Sequence, residues 1–270
     1  MFRNIRRVAV AVAGALALTA AGIAVPALAS SPTASTPRPT VVLVHGAFAD
    51  SSGWNGVIER LRKDGYPVRA ASNPLRGLTS DSTYLTDLLH SISGPIILVG
   101  HSYGGAVITD AATGNADVKA LVYVAGYAPD AGETLRDLNS RQVEHPIPAL
   151  PVQAVKITEP DGSTGADIYL DPAQFRQAFA ADVDRTTAAD MAVTQRPADA
   201  KALTQASTTP AWKSIPSWYL VATQDHAIAP DLERFMAKRA GAHTVEVASS
   251  HAAMVSHPDA VTRLIERAAR

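Results

Sequence analysis

The 270-residue sequence contains no cysteine. Disulfide bonds, cysteine nucleophiles and zinc sites built on thiolates are therefore excluded, and packing alone has to stabilise the fold. The formal net charge is −1, and no run of basic residues offers a binding surface for nucleic acid or anionic lipid. His-Glu-x-x-His and phosphate-loop motifs are also absent, so the residues indicate neither a metal hydrolase nor a nucleotide-binding protein.

Residues 1–29 differ in composition from the rest of the chain. Three arginines precede an apolar, alanine-rich run over 8–25, and the sequence ALA at 27–29 supplies the small residues that a signal peptidase accepts. This pattern predicts a signal peptide cleaved after Ala29 and a secreted protein that has no stable association with a membrane afterwards. An uncleaved membrane anchor is the alternative, because the run approaches the roughly 17 residues that span a bilayer. The export route, general secretory or twin-arginine, stays open.

Beyond a Ser/Thr/Pro-rich stretch over 30–39, which predicts a flexible linker, strand and helix patterns alternate. Alternation of this kind predicts an α/β protein with a mainly parallel sheet of about six strands and helices on both faces. The predicted strands cover 41–44, 67–71, 95–99, 118–125, 217–223 and 243–249. The predicted helices cover 54–64, 81–92, 105–113, 231–240 and 258–269.

Two details of this pattern can be compared directly with a structure. The helix over 81–92 should begin at an Asp81/Ser82 cap and place Tyr84 on its apolar side with the leucines. Between about 130 and 216 the alternation stops, because the prolines of EHPIPALP exclude regular structure and only short helical patterns follow over 172–206. We interpret 130–216 as a small cap inserted in a domain that spans 40–270.

The strongest local signal is the strand PIILV followed by Gly100-His101-Ser102-Tyr103-Gly104 and a helix of small residues. A tight turn from strand to helix lifts the serine hydroxyl clear of the sheet, and glycines on both sides avoid collisions with the neighbouring backbone. Ser102 is therefore the predicted nucleophile, against the alternative of a glycine-rich turn with an ordinary serine. His101 should support the turn or pack behind it, because neighbouring side chains diverge on a sharp turn.

A serine hydroxyl needs a base, and the base needs an acid that fixes its tautomer. In open α/β sheets the working residues collect at the carboxyl ends of the strands. His251 follows the last strand and is the predicted base, with His257 as the alternative. Asp225 follows the strand over 217–223 and is the predicted acid, with Asp130 as its rival.

Backbone amides are predicted to stabilise the charge that develops on a substrate carbonyl oxygen. One is the amide of Tyr103, directly after the nucleophile. The other lies in the loop after the first strand, VHGAF, where Gly46 allows the turn and the amide of Ala47 points inward. The amide of Phe48 is the next candidate.

With these residues in place, the sequence resembles the α/β-hydrolase superfamily, in particular the branch of esterases, hydroxynitrile lyases and bacterial carboxylesterases. The matching stretches are VVLVHGAF, ILVGHSYGG, ALVYVAGYAPDAGE, YLVATQDHAIAP and SSHAAMVSHPDAV. The order Ser102, Asp225, His251 is that of the superfamily. The resemblance implies a mostly parallel sheet, a cap and no cofactor. Two leading strands of the family have no counterpart, which gives six strands rather than eight.

The sequence thus predicts a secreted carboxylic-ester hydrolase that acts on small to medium apolar esters through an acyl-enzyme, without cofactor or metal. A perhydrolase or cofactor-free haloperoxidase of the same fold is an alternative, because its triad is the same. Hydroxynitrile lyases of the family carry a lysine after the histidine and a threonine in the oxyanion loop. This chain has Ala252 and Gly46 there. A non-catalytic binding module would require a broken motif, and none is broken.

Overall fold

The computed structural model describes residues 38–270. The predicted signal peptide over 1–29 and most of the predicted linker lie outside these residues. Within the described range, no helix has the length and apolar character needed to cross a membrane.

A six-stranded sheet forms the centre of the molecule, in the spatial order β2-β1-β3-β4-β8-β9. Every neighbouring pair in it is parallel. Parallel neighbours need crossover connections, which the intervening helices provide. The predicted α/β fold with about six strands is confirmed. The strands are β1 Thr40–Val44, β2 Val68–Ala71, β3 Ile96–His101, β4 Val118–Val124, β8 Ser217–Ala222 and β9 His243–Val247.

Helices cover both faces of this sheet. Alternate residues of β1 point to opposite faces, so Val42 and Leu43 belong to different hydrophobic clusters. One cluster packs under α2, α3 and α7, and the other packs under α1 and α9. The helices are α1 Asn55–Lys63, α2 Leu78–His90, α3 Tyr103–Ala111, α7 Pro230–Arg239, α8 Ala253–Ser256 and α9 Pro258–Ala268.

Helix α2 departs from the prediction at its start. It begins at Leu78, three residues before the predicted cap, with Gly77 as the N-cap at φ +134°. The Asp81 carboxylate is fully buried and accepts hydrogen bonds from the amides of Arg76 and Gly77. Asp81, the predicted cap residue, therefore lies within the first turn of α2 and binds the two residues that precede the helix. The placement of Tyr84 on the buried side was wrong, since this side chain is 47% exposed.

The chain between β4 and β8 contains two short helical segments where helical patterns were read, α5 Phe175–Phe179 and α6 Arg185–Thr194. It also contains α4 Leu135–Asn139 and a small antiparallel sheet that the sequence analysis missed. The strands of this sheet are β5 Val152–Thr158, β6 Thr164–Leu170 and β7 Ala198–Asp199. Asp161-Gly162 between two alternating runs was the available signal, because such a pair favours a hairpin turn.

Candidate active site

Ser102 lies between β3 and α3, where the strand turns sharply into the helix. Its backbone has φ +54° and ψ −125°, a region that residues other than glycine rarely adopt. Backbone hydrogen bonds on both sides of the residue maintain this strained conformation. The Ser102 amide donates to the carbonyl of Ala125, and the Ser102 carbonyl accepts from the amides of Gly105 and Tyr127. The side chain is thereby presented at the end of the sheet.

Close backbone approach explains the glycines around this serine. A Cβ on Gly104 would lie 2.5 Å from the carbonyl oxygen of Val44 in β1, and one on Gly105 would lie 2.5 Å from that of Tyr127. A Cβ on Gly46 would lie 2.6 Å from Cβ of Ser102. The loop after β1 therefore passes directly against the serine, as the sequence predicted for the oxyanion loop.

Two buried groups, His45 and Asn73, hold the loop after β1 in place. The amide of Asn73 donates to Nε2 of His45, so the ring carries its proton on Nδ1, which donates to the carbonyl of Gly46 at 2.9 Å. The side-chain amide of Asn73 donates to the carbonyl of His45 at 2.9 Å. Burial lowers the pKa of His45, which agrees with the neutral form that this network requires.

The two amides predicted for oxyanion binding, those of Ala47 and Tyr103, lie at the wall of the same cavity as Ser102. In the described part of the chain neither amide donates to a backbone carbonyl, whereas the amide of Phe48 donates to the carbonyl of Arg196 at 3.0 Å. The Tyr103 hydroxyl donates to the buried carboxylate of Asp81 at 2.7 Å, which anchors the first turn of α3.

His251 and Asp225 form a buried pair. Nδ1 of His251 donates to Oδ2 of Asp225 at 2.5 Å, and the two side chains are 1% and 0% exposed. The other carboxylate oxygen, Oδ1, accepts from the amides of Ala227 at 2.6 Å and Ile228 at 3.0 Å. Asp225 therefore binds Nδ1 of His251 and does not bind Nε2, the other ring nitrogen. His251 and Ser102 line one cavity, and no hydrogen bond between their side chains occurs within residues 38–270.

The alternative residues have other partners. His257 lies at the start of α9, half-buried, with Nδ1 near the Ser256 hydroxyl and 3.5 Å from Asp182. Asp130 pairs with the ammonium group of Lys213 at the surface. The structure therefore places Ser102 and His251 at one cavity and Asp225 behind His251, whereas His257 does not line the cavity and Asp130 does not contact His251.

His101 makes a contact that the sequence analysis did not foresee. It is fully buried, and its Nε2 donates to the backbone carbonyl of His251, 150 residues further along the chain, at 3.0 Å. Burial and the neighbouring His251 lower the pKa of His101 well below its usual range. The neutral ring thus supports the backbone of His251, a contact more specific than the predicted support of the turn or packing behind it.

The cavity above Ser102 has a volume of about 760 Å³. Its wall is largely apolar and comes from the loop after α4, from the cap and from α7. Four apolar residues of the chain between β4 and β8 line it: Ile147, Leu150, Val152 and Phe179. Phe175 and Met191 do not line it, although they pack in the same hydrophobic cluster as Phe179. Phe179 also packs its ring against that of His251, with centroids 4.8 Å apart.

No group of three or more histidine, aspartate or glutamate residues within the described range is arranged to hold a metal ion.

A family profile described as "Alpha/beta hydrolase family" matches residues 41–264 of the chain. The chain therefore belongs to the alpha/beta hydrolase family, and the predicted resemblance to this superfamily is confirmed.

Individual relatives agree with this assignment. The chain is 28% identical over 256 residues to alpha/beta hydrolase nvfD of Aspergillus novofumigatus, covering 86% of this chain and 97% of that protein. It is 34% identical over 110 residues to a carbendazim hydrolyzing esterase of Nocardioides sp.. That match covers 36% of this chain and 46% of the esterase. Among solved structures, polyneuridine aldehyde esterase superimposes with a TM-score of 0.74 at 20% identity, over 85% of this chain and 98% of the other. The solved structure shows the same fold, and the two relatives support a hydrolase.

Proposed function

We propose that the protein is a serine esterase that hydrolyses carboxylic esters of small to medium apolar substrates through an acyl-enzyme. The observation that carries the proposal is the buried hydrogen bond between His251 and Asp225, because His251 lines the same cavity as the strained Ser102. The esterase named among the relatives and the esterase of similar fold support the same reaction class.

In the proposed reaction, Nε2 of His251 accepts the proton of the Ser102 hydroxyl as its oxygen attacks the ester carbonyl. Asp225 keeps the proton of His251 on Nδ1 and stabilises the imidazolium that forms. The amides of Ala47 and Tyr103 donate to the developing oxyanion, each contributing about 3 kcal/mol of transition-state stabilisation. The bond between the amide of Phe48 and Arg196 favours Ala47 over Phe48 for this role. His251 then returns the proton to the leaving alcohol and activates the water that releases the acid.

The nucleophile is tested with Ser102→Ala. We expect kcat for p-nitrophenyl butyrate to fall at least about 10³-fold, and labelling by a fluorescent phosphonate to disappear. Ser163→Ala, an exposed serine near the cap hairpin, is the matched control and should keep both. Full turnover and labelling in Ser102→Ala would refute the assignment. Peracid formation from acetate and hydrogen peroxide would reveal perhydrolase activity of the same site.

The volume and apolar wall of the cavity support the substrate class. Each buried methylene of an acyl chain gains about 0.8 kcal/mol until the cavity is full. In a series of p-nitrophenyl esters we expect kcat/KM to rise from acetate to medium chain lengths and to fall for palmitate. A maximum at acetate would contradict an apolar acyl site.

Secretion is part of the proposal, on the sequence pattern of residues 1–29 alone. A secreted mature protein should begin at Ser30, which mass spectrometry of the protein from the culture medium would show. Recovery of an intact N-terminus in the membrane fraction would instead favour the anchor.

A further inference from the structure

Glu233, in the first turn of α7, has no exposed surface. Glutamate is almost never fully buried unless a partner compensates its charge. No ion pair reaches this carboxyl group among residues 38–270, and the guanidinium of the adjacent Arg234 binds Asp231 and Glu246 at the surface. Neither its sequence position on a charged helix nor the reaction proposed above accounts for this side chain.

The contacts of Glu233 lead to the acid of the proposed triad. Its Oε2 accepts the amide of Ala222, the last residue of β8, at 3.1 Å. Asp225 follows Ala222 by three residues and its amide donates to the carbonyl of Ala222, so both carboxyl groups lie at the end of β8. Oε1 of Glu233 has no hydrogen-bond partner within the described residues. Two buried carboxyl groups at one such place favour a single proton between them, because two ionised groups would repel each other and could only accept hydrogen bonds.

The distribution of donors decides which carboxyl group keeps the proton. Asp225 accepts from two backbone amides and from Nδ1 of His251, which stabilises its ionised form. Glu233 accepts from one amide. Burial, reinforced by the charge of Asp225, raises the pKa of Glu233 well above its usual range.

The remaining titratable groups around Glu233 do not offset this. Tyr127 and Tyr219 are buried, and their hydroxyls donate to Asn139 and to the carbonyl of Gly126. Burial raises the pKa of both, so they carry no charge near neutral pH. The positive charge of Arg234 acts in the opposite direction, but it is the weakest of the influences on Glu233 and is paired at the surface.

We propose that Glu233 is a positioning residue: as a neutral carboxylic acid it donates a hydrogen bond from Oε1 to the Asp225 carboxylate and so fixes the group that orients His251. The chain Glu233–Asp225–His251 then extends the triad one step into α7, fully out of water. This inference rests on the proposed role of Asp225 and His251 in ester hydrolysis.

Two substitutions test the inference. Glu233→Gln keeps both the oxygen that accepts from Ala222 and a donor for Asp225, so we expect kcat within about twofold of the wild type. The midpoint of the acidic limb of kcat/KM against pH should not move. Glu233→Leu removes the donor, and we expect kcat to fall about 10- to 100-fold with little change in KM, as for a lost hydrogen bond to a charged group. Glu59→Gln, on the exposed face of α1, is the control.

The position of the proton is tested independently of turnover. Infrared spectra of the wild-type protein at neutral pH should contain a protonated carboxylic acid band that Glu233→Gln lacks. Absence of this band, a downward shift of the acidic limb in Glu233→Gln, or unchanged kcat in Glu233→Leu would each overturn the inference. If Glu233→Leu does not fold, the infrared band of the wild type and the pH profile of kcat/KM for Glu233→Gln decide the inference. Full activity of Ser102→Ala would remove the proposed function while leaving the band to report on Glu233.

Discussion

At the scale of single residues, contact distances around Ser102 leave almost no room for added atoms. The serine adopts a strained backbone at φ +54°, and Gly46 lies against it so closely that even a methyl group would overlap its Cβ. Such strain persists only where the surrounding structure enforces it, as in a nucleophile whose hydroxyl has to be aimed. The oxyanion loop and the serine therefore share one packing constraint.

The first prediction follows from this constraint. Gly46→Ala places a Cβ 2.6 Å from that of Ser102, so the loop and its Ala47 amide must move. We expect kcat/KM for p-nitrophenyl butyrate to fall about 10²-fold, as for a lost oxyanion donor. Gly53→Ala is the control, because its nearest neighbour would be a methionine methyl group at an ordinary 3.4 Å. Equal activity of the two variants would show that the loop does not need this close approach.

At the scale of elements, the carboxyl ends of four parallel strands supply the site. β1 leads into the oxyanion loop, β3 into Ser102, β8 towards Asp225 and β9 towards His251. The short helix α5 adds a cap contribution, because the ring of Phe179 packs edge-on against both His101 and His251. His251, the proposed base, is thus held between Asp225 after β8 and the chain that connects β4 to β8.

The second prediction tests this contact between the cap and the base. Phe179→Ala leaves a cavity in the cap cluster and frees one side of the His251 ring, so we expect the free energy of unfolding to fall by about 3–5 kcal/mol. We also expect kcat to fall, since the ring loses part of its support. Val193→Ala, in α6 of the same cap and 80% exposed, should change stability by less than about 0.5 kcal/mol. Urea unfolding and steady-state kinetics measure both, and an unchanged kcat in Phe179→Ala would contradict the contact's role.

At the scale of the whole molecule, the site depends on buried groups that must remain neutral. Burial lowers the pKa of His45 and His101 below the value of 6.5 that they have in the unfolded chain. Below about pH 6.5 the unfolded chain takes up protons at these positions, whereas the folded protein does so only at lower pH. The free energy of unfolding should therefore fall as the pH is lowered from 6.5.

The third prediction isolates one of these histidines. In His101→Gln the side-chain amide can still donate to the carbonyl of His251, but it does not titrate. We expect the wild type to lose up to about 1.4 kcal/mol per pH unit more than this variant below pH 6.5, and to lose no more above it. His90→Gln, on an exposed position of α2, should follow the wild type. Parallel urea-unfolding curves for wild type and His101→Gln between pH 7 and 5 would contradict the buried neutral ring.

Two features that the sequence analysis did not predict correctly, the role of Asp81 and the hairpin of β5 and β6, have a common physical origin. Asp81 looked like a helix cap, but its carboxylate accepts hydrogen bonds from two amides that lie 5 and 4 residues before it and from the Tyr103 hydroxyl, 22 residues after it. The hairpin of β5 and β6 was overlooked because its strands are half-exposed and polar, so the apolar periodicity that located the sheet strands was weak there. In both cases the local pattern was a poor guide because other contacts decided the outcome.

The sequence by itself determined the α/β alternation, the six-stranded sheet and the residues that follow each strand. Strand and helix periodicities are local, and the turn at Ser102 requires small neighbours that are read directly from the chain. Only the tertiary structure decided that the Phe48 amide is engaged elsewhere, that His101 supports the backbone of His251 and that Glu233 is buried at the end of β8. Burial and hydrogen-bond partners arise where distant segments pack together, and no local pattern encodes them.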